Sequence, residues 1–174
     1  MTPDEWETLD ATAMADLVAA GEVAPRELVE TAIARIEALN PALNAVVLTS
    51  FDEALAELDA RSGRPRFLGV PYLVKDLHTP VRGLALTNGS RLFDGFVPDF
   101  DSTFVARMRA AGFAILGRTN SPEMGLNVTT EPVLHGPTRN PWNLAHSTGG
   151  SSGGAAAAVA GGMVPVAHAT DSGG

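Results

Sequence analysis

The sequence predicts an α/β fold, with a mixed or parallel sheet core covered by helices. Stretches with helical periodicity alternate with short apolar runs, in the order helix, strand, helix, strand. No internal repeat, low-complexity tract or linker interrupts that order, and 174 residues are within the range of one domain. The chain is 45% hydrophobic and 18% charged, the balance of a globular protein rather than a disordered one.

Taken in order, Met14, Leu17 and Val18 share one helical face, and Gly21 stands where a C-terminal glycine closes a helix. Pro25 suits a first helical position, with Glu27 and Glu30 near the positive end of the dipole. Val29, Ile33 and Ile36 form the apolar stripe, and Asn40-Pro41 is expected to end this helix. Ala45 to Leu48 reads as a short strand, and Phe51, Leu55 and Leu58 as an amphipathic helix. Arg61 to Arg66 is a basic, Gly/Pro-broken loop on a solvated face.

The run from Phe67 to Asp76 is nearly continuous in apolar residues, the pattern of a strand buried on both faces. Lys75 near its end is out of place there. Either it snorkels to solvent, or it is kept inside with a depressed pKa. Leu84 to Phe100 is loop-like, with a turn at Asn88-Gly89. Asp101 or Ser102 caps a helix through Phe104, Val105 and Met108, closed by Gly112, and Phe113 to Leu116 is the next strand. Gly117 to Trp142 is rich in turn formers, and a long irregular stretch in a compact domain is more often functional than idle.

The last stretch carries two glycine turns. Gly149-Gly150-Ser151-Ser152-Gly153-Gly154 leads into an alanine-rich helix, then an apolar strand, then Asp171-Ser172-Gly173-Gly174. Glycine lets backbone N–H groups approach a ligand closely, so the two turns read as two lips of one site. The serine loop is no phosphate-binding P-loop, because no Gly-Lys-Ser/Thr follows it.

Several function classes are disfavoured. A net charge of -8 without clustered Lys/Arg argues against a nucleic-acid surface. The absence of Cys removes disulfides and thiolate metal sites and fits a reducing cytoplasm. His78, His135, His146 and His168 lack ligand spacing, so neither a metal nor another cofactor is expected, and each histidine is assigned to loop or core. The start MTPDEWETLD lacks the apolar core of a secretory signal, and the run Ala155 to Ala160 is too short to span a bilayer. The expectation is a cytoplasmic protein without membrane contact.

Five blocks together resemble the amidase signature family: Gly69 to Asp76, Gly117-Arg118-Thr119-Asn120, Asn140-Pro141-Trp142-Asn143, Gly149 to Gly154, and Asp171 to Gly174. They stand in the family's order and cover almost the whole chain, so the resemblance implies the N-terminal part of a single amidase signature domain. It also implies an enzyme that hydrolyses a carboxylic amide. In that family a serine nucleophile is activated by a second serine on a cis peptide bond, itself deprotonated by a neutral lysine. Carried over, Lys75 is the base and Ser151 the bridge. The nucleophile follows the second turn at position 175, one past Gly174. Residues 1–174 alone are expected to be inactive. Ser172, Gly173 and Gly174 stand where the family's backbone N–H groups form the oxyanion hole, the main source of rate for a poor electrophile such as an amide. A lysine neutral at pH 7 needs burial to lower its pKa, and the apolar run before Lys75 supplies that setting.

The same resemblance gives Ser152 a supporting role in its loop. Met124 lies where relatives line the acyl pocket, with a core methionine as the alternative. Asp171 orients the loop or the surroundings of Lys75, with a plain turn aspartate as the alternative. One departure is Thr148, where many relatives have proline before Gly-Gly. The run from Thr129 to Gly150 is most similar to members that hydrolyse 6-aminohexanoate cyclic dimers, which implies linear or cyclic aliphatic amides as substrates. The expected partner is a small-molecule amide, with a homodimer as the assembly considered.

Two other readings compete. Asp171-Ser172-Gly173-Gly174 also matches the nucleophile segment of trypsin-like proteases, with His168 close by. Those proteases are disulfide-bonded antiparallel barrels, however, whereas this sequence is helix-rich and Cys-free. The other reading is an amidotransferase-like subunit or a non-catalytic interaction module.

Overall fold

A computed structural model describes residues 2–172. Its centre is a three-stranded mixed sheet of β1 (Val46–Thr49), β2 (Pro71–Lys75) and β3 (Ala114–Thr119), ordered β1-β3-β2. β1 runs antiparallel to β3, and β2 runs parallel to it with Lys75 opposite Thr119. Every residue of β2 and β3 is buried, as the unbroken apolar runs require.

Alternation along β2 feeds two cores. Leu73 packs with α1 (Pro3–Thr8), α2 (Ala11–Ala20), α3 (Pro25–Leu43) and α6 (Gly153–Ala160), through Trp6, Met14, Leu28, Ile36 and Ala158. Tyr72 and Val74 pack on the other side with Val105 of α5 (Thr103–Ala111) and Ile115 of β3. Each fully buried side chain of this size is worth about 1.5–3 kcal/mol. Because strand side chains alternate, Lys75 shares the face of Leu73, the one that α6 covers. Helix α4 (Phe51–Asp59) packs beside β3, and a small hairpin, β4 (Arg139–Asn140) with β5 (Asn143–Ser147), stands apart from the main sheet.

The helix ends follow the sequence signals where these are chemical. Ser102 caps α5 through its side chain, and α2 and α5 close on Gly21 and Gly112, both left-handed. Three features differ from expectation. Helix α1 is additional. Its capping box, Thr2 with Glu5, is a legible signal on a helix of only six residues. Asn40-Pro41 does not end α3, which runs on to Leu43. Pro41 lies in the last turn, where it forgoes the one bond its N–H would have given to the Glu37 carbonyl, and Asn40 fastens the chain into β1. Its side chain accepts from the N–H groups of Ala45 and Val46 at 2.8 Å each and donates to the Val46 carbonyl at 2.8 Å.

The third difference is the apolar stretch after α6, which is no strand. It touches β2 by a single bridge between Leu73 and Ala167, because Pro165 has no N–H to donate to a ladder.

Candidate active site

Lys75 leaves the end of β2 with 0% exposure and points its ammonium nitrogen at three hydroxyl oxygens. Nζ lies 2.8 Å from Ser151 Oγ, 3.0 Å from Ser152 Oγ and 2.7 Å from Thr170 Oγ1. Burial lowers its pKa from 10.5 to about 8, because removing the charged form from water is what costs most here. Of the two fates open to this lysine in the sequence, the structure shows the interior one. It is also the only lysine in the 174 residues; every other Lys/Arg position is Arg.

The serine loop is fastened from several sides. The Gly150–Ser151 peptide bond is cis. Thr130 Oγ1 donates to the Gly149 carbonyl at 2.9 Å and accepts from the Gly153 N–H at 3.1 Å. Thr148 Oγ1 also reaches the Gly149 carbonyl, at 3.3 Å. The start of α6 is pressed onto the end of β3. The Gly154 N–H donates to the Asn120 carbonyl at 3.2 Å, and a Cβ on Gly154 would sit 2.3 Å from Asn120 N. Only glycine fits that approach.

A cleft of about 820 Å³ opens in front of these groups, lined by residues 125–128, 150–152 and 169–172. Ser151 and Ser152 therefore share one site with Asp171 and Ser172, both of which are exposed in its wall. Ser152 does more than support its own loop. Its hydroxyl donates to the Thr170 carbonyl and accepts from the Thr170 N–H, each at 3.1 Å, so it joins the two lips. Gly173 and Gly174 lie outside the described residues. Met124 is half-buried and is not among the residues lining the cleft; its N–H donates to the Asn88 carbonyl at 2.8 Å, and the four residues after it form the wall.

His168 departs from a satisfied core histidine. Its ring lies 4.6 Å from that of Phe104, and its Nδ1 is buried with no hydrogen-bond partner. Burial first, then the charges of Lys75 and Arg118, lower its pKa.

Sequence reasoning missed four contributors. Thr170 carries no local signal; its contact with Lys75 joins residues 95 positions apart in the sequence. Thr130 is an ordinary loop threonine until the serine loop folds over it. Asp76 and Arg118 are both fully buried, and a charge within β3 with another directly after β2 is a signal that could have been read. Asp76 accepts from the N–H groups of Thr87 at 2.9 Å and Gly89 at 3.2 Å and from Thr87 Oγ1, with His135 Nε2 at 3.7 Å. Burial pushes its pKa up, but the hydrogen bonds from His135, Thr87 and Gly89 outweigh it, so the net shift is downward. Arg118 donates to the carbonyls of Lys75 at 3.4 Å, Thr79 at 3.0 Å and Leu84 at 3.3 Å, and to that of Ala85. Burial lowers its pKa to about 10, against the opposing pull of Asp76.

Among the described residues, no three His, Cys, Asp or Glu side chains gather as a metal site, and no helix is long and apolar enough to cross a membrane.

Comparison with known proteins points one way. The amidase family model matches residues 27–174. The 6-aminohexanoate-cyclic-dimer hydrolase of Paenarthrobacter ureafaciens is 51% identical over 173 residues, covering 98% of this chain and 34% of that protein. A glutamyl-tRNA(Gln) amidotransferase subunit from Acidothermus cellulolyticus is 42% identical over 171 residues, covering 94% of this chain and 34% of that one. Among solved structures, a 6-aminohexanoate cyclic dimer hydrolase complexed with substrate superposes with a TM-score of 0.89 at 50% identity, over 95% of this chain and 34% of its own. A bacterial aryl acylamidase of the amidase signature family gives 0.85 at 41% identity, over 91% of this chain and 34% of its own. The chain thus spans about a third of the length of these relatives. With the model matched over most of its length and a lysine–serine cluster at its centre, the chain belongs to the amidase signature family.

Proposed function

We propose that this sequence is the N-terminal part of a single-domain amidase that hydrolyses a carboxylic amide, with Lys75 as base and Ser151 as proton relay. The nucleophile is a serine at position 175, and Ser172 with Gly173 and Gly174 forms the oxyanion hole. The observation that carries this is the 2.8 Å contact between a fully buried Lys75 and Ser151. A pKa of about 8 leaves roughly a tenth of the lysine neutral at pH 7, enough for a general base tuned near the working pH.

The proton balance closes within these residues. Lys75 Nζ takes the hydroxyl proton of Ser151 as Ser151 takes that of the attacking serine. As the tetrahedral intermediate collapses, the proton passes from Lys75 through Ser151 to the departing amine nitrogen while the C–N bond breaks. Water then repeats the sequence on the acyl-enzyme. The cleft of about 820 Å³ is large enough for an aliphatic amide. Identity of 51% to a 6-aminohexanoate-cyclic-dimer hydrolase favours linear or cyclic aliphatic amides as the substrate class.

The test is hydrolysis of the 6-aminohexanoate cyclic dimer by the full-length protein, with Lys75→Ala and Ser151→Ala as comparators. Turnover by the parent protein and its loss in both variants is the expected result. Undiminished turnover in Lys75→Ala overturns the assignment.

A second reading, as one component of an amidotransferase, is favoured by the 42% identity to a glutamyl-tRNA(Gln) amidotransferase subunit. A stoichiometric co-purifying partner, with amide hydrolysis dependent on it, supports that reading; hydrolysis by the full-length protein without a partner counts against it.

A further inference from the structure

The hydroxyls around Lys75 have a polarity that the amidase reading alone does not use. An ammonium has three N–H donors and no acceptor, whereas a neutral primary amine has two donors and one lone pair. Ser152 cannot offer its proton to that lone pair, because its hydroxyl donates to the Thr170 carbonyl while accepting from the Thr170 N–H. It can only accept from Lys75, at 3.0 Å. Thr170 Oγ1 stands 2.7 Å from the same nitrogen. Its segment is tied to the strand that bears the lysine, through the His168 N–H donating to the Leu73 carbonyl at 2.8 Å.

We propose that Thr170 is a positioning residue for proton transfer: with Ser152 it engages both N–H groups of neutral Lys75 and leaves the lone pair facing Ser151. The proposal rests on the amidase reading of the site. It assigns the two lips distinct tasks. Ser151 exchanges the proton, while Ser152 and Thr170 fix the direction from which it arrives. When Lys75 becomes an ammonium, its third N–H points back at Ser151, so the cage is satisfied before and after transfer.

The ionisable groups near Lys75 are Asp76, which follows it directly after β2, Arg118 on β3, and His168 and Asp171 on the segment after α6. The serine loop and α6 contribute none. Removing the Thr170 hydroxyl leaves all four in place. It takes one charge-assisted bond from the ammonium and a weaker one from the amine, so the lysine loses its proton at lower pH.

The test measures kcat, KM and the pH dependence of kcat/KM for the cyclic dimer in full-length wild type, Thr170→Val, Thr170→Ser and Lys75→Ala. Thr170→Val is expected to lose about 10- to 100-fold in kcat with KM nearly unchanged. Its acid limb should move down by about 0.5–1 pH unit, and Thr170→Ser should restore both. Thr170→Ala carries the same expectation should the valine variant not fold. A wild-type kcat and limb in Thr170→Val overturns the proposal. So does a limb displaced upward, which is what water entering a loosened site produces. Activity in Lys75→Ala instead sinks the underlying amidase reading, so the two failures are distinguishable.

Discussion

Arg118 and Asp76 lie side by side with no exposed side-chain surface, Nε 3.9 Å from Oδ1. At that distance they balance charge rather than share a close hydrogen bond, and both hold backbone groups, Asp76 accepting from the Thr87 hydroxyl as well. Asp76 gathers the amides at 87 and 89, and Arg118 gathers the carbonyls at 75, 79, 84 and 85. The pair folds the segment after Lys75 back upon the sheet, and through Asn88 it supports Met124 and the cleft wall beyond.

Removing one partner leaves the other charge buried alone. Arg118→Met is expected to destabilise the protein by about 3–5 kcal/mol, measured by urea unfolding. The double variant Arg118→Met with Asp76→Asn should lose less than the sum of the two single changes. Simple additivity contradicts the coupling.

Acid should weaken the fold through Asp76. Its folded pKa lies below the unfolded value, so the unfolded chain binds protons more readily. The stability it contributes is present above the unfolded pKa of about 4 and is lost as pH falls through the folded one. Unfolding free energy measured between pH 6 and pH 2 should fall less steeply in Asp76→Asn.

Lys75 acts at the other end of the scale. Its pKa falls from 10.5 unfolded to about 8 folded, so between these values the unfolded chain holds the extra proton. Stability is therefore expected to rise with pH from about 8 to about 10.5, and Lys75→Met should lack that rise. A flat or falling profile in the parent protein contradicts a buried, proton-shedding lysine.

Gly154→Ala tests how closely α6 approaches β3. The added methyl would meet Asn120 N at 2.3 Å and the Ala45 carbonyl oxygen at 2.8 Å, both backbone atoms that cannot swing aside. A loss of about 1–3 kcal/mol or more is expected in thermal unfolding, together with reduced turnover as Ser151 and Ser152 shift. Tolerance of alanine with unchanged stability contradicts this packing.

The legible parts of the site were those where local chemistry contradicts its surroundings. Lys75 ends an apolar run, and a serine pair sits among four glycines; each is visible within a ten-residue window. Thr170 is not, because its task is set by Lys75 and Ser152, which reach it only through the folded sheet. The fold divides the same way. Caps at Gly21, Ser102 and Gly112 are side-chain or backbone chemistry and were readable. The stretch around Pro165 has the composition of a strand, but strand formation depends on a neighbour's ladder, which the sequence alone does not display. Asn40-Pro41 looks like a stop because its breaker is evident; the side-chain bonds that let the helix run three residues further are not.

The central claim is that Lys75 is a buried base whose pKa is drawn down to about 8, so that a working fraction of it is uncharged near neutral pH. As the only lysine in these residues, it gives one side-chain signal from this segment when lysine is labelled with nitrogen-15. Titrating that signal in the full-length protein measures the claim directly, with Lys75→Arg identifying the resonance. The account predicts a midpoint near pH 8. A midpoint near 10.5, that of a lysine in water, contradicts it.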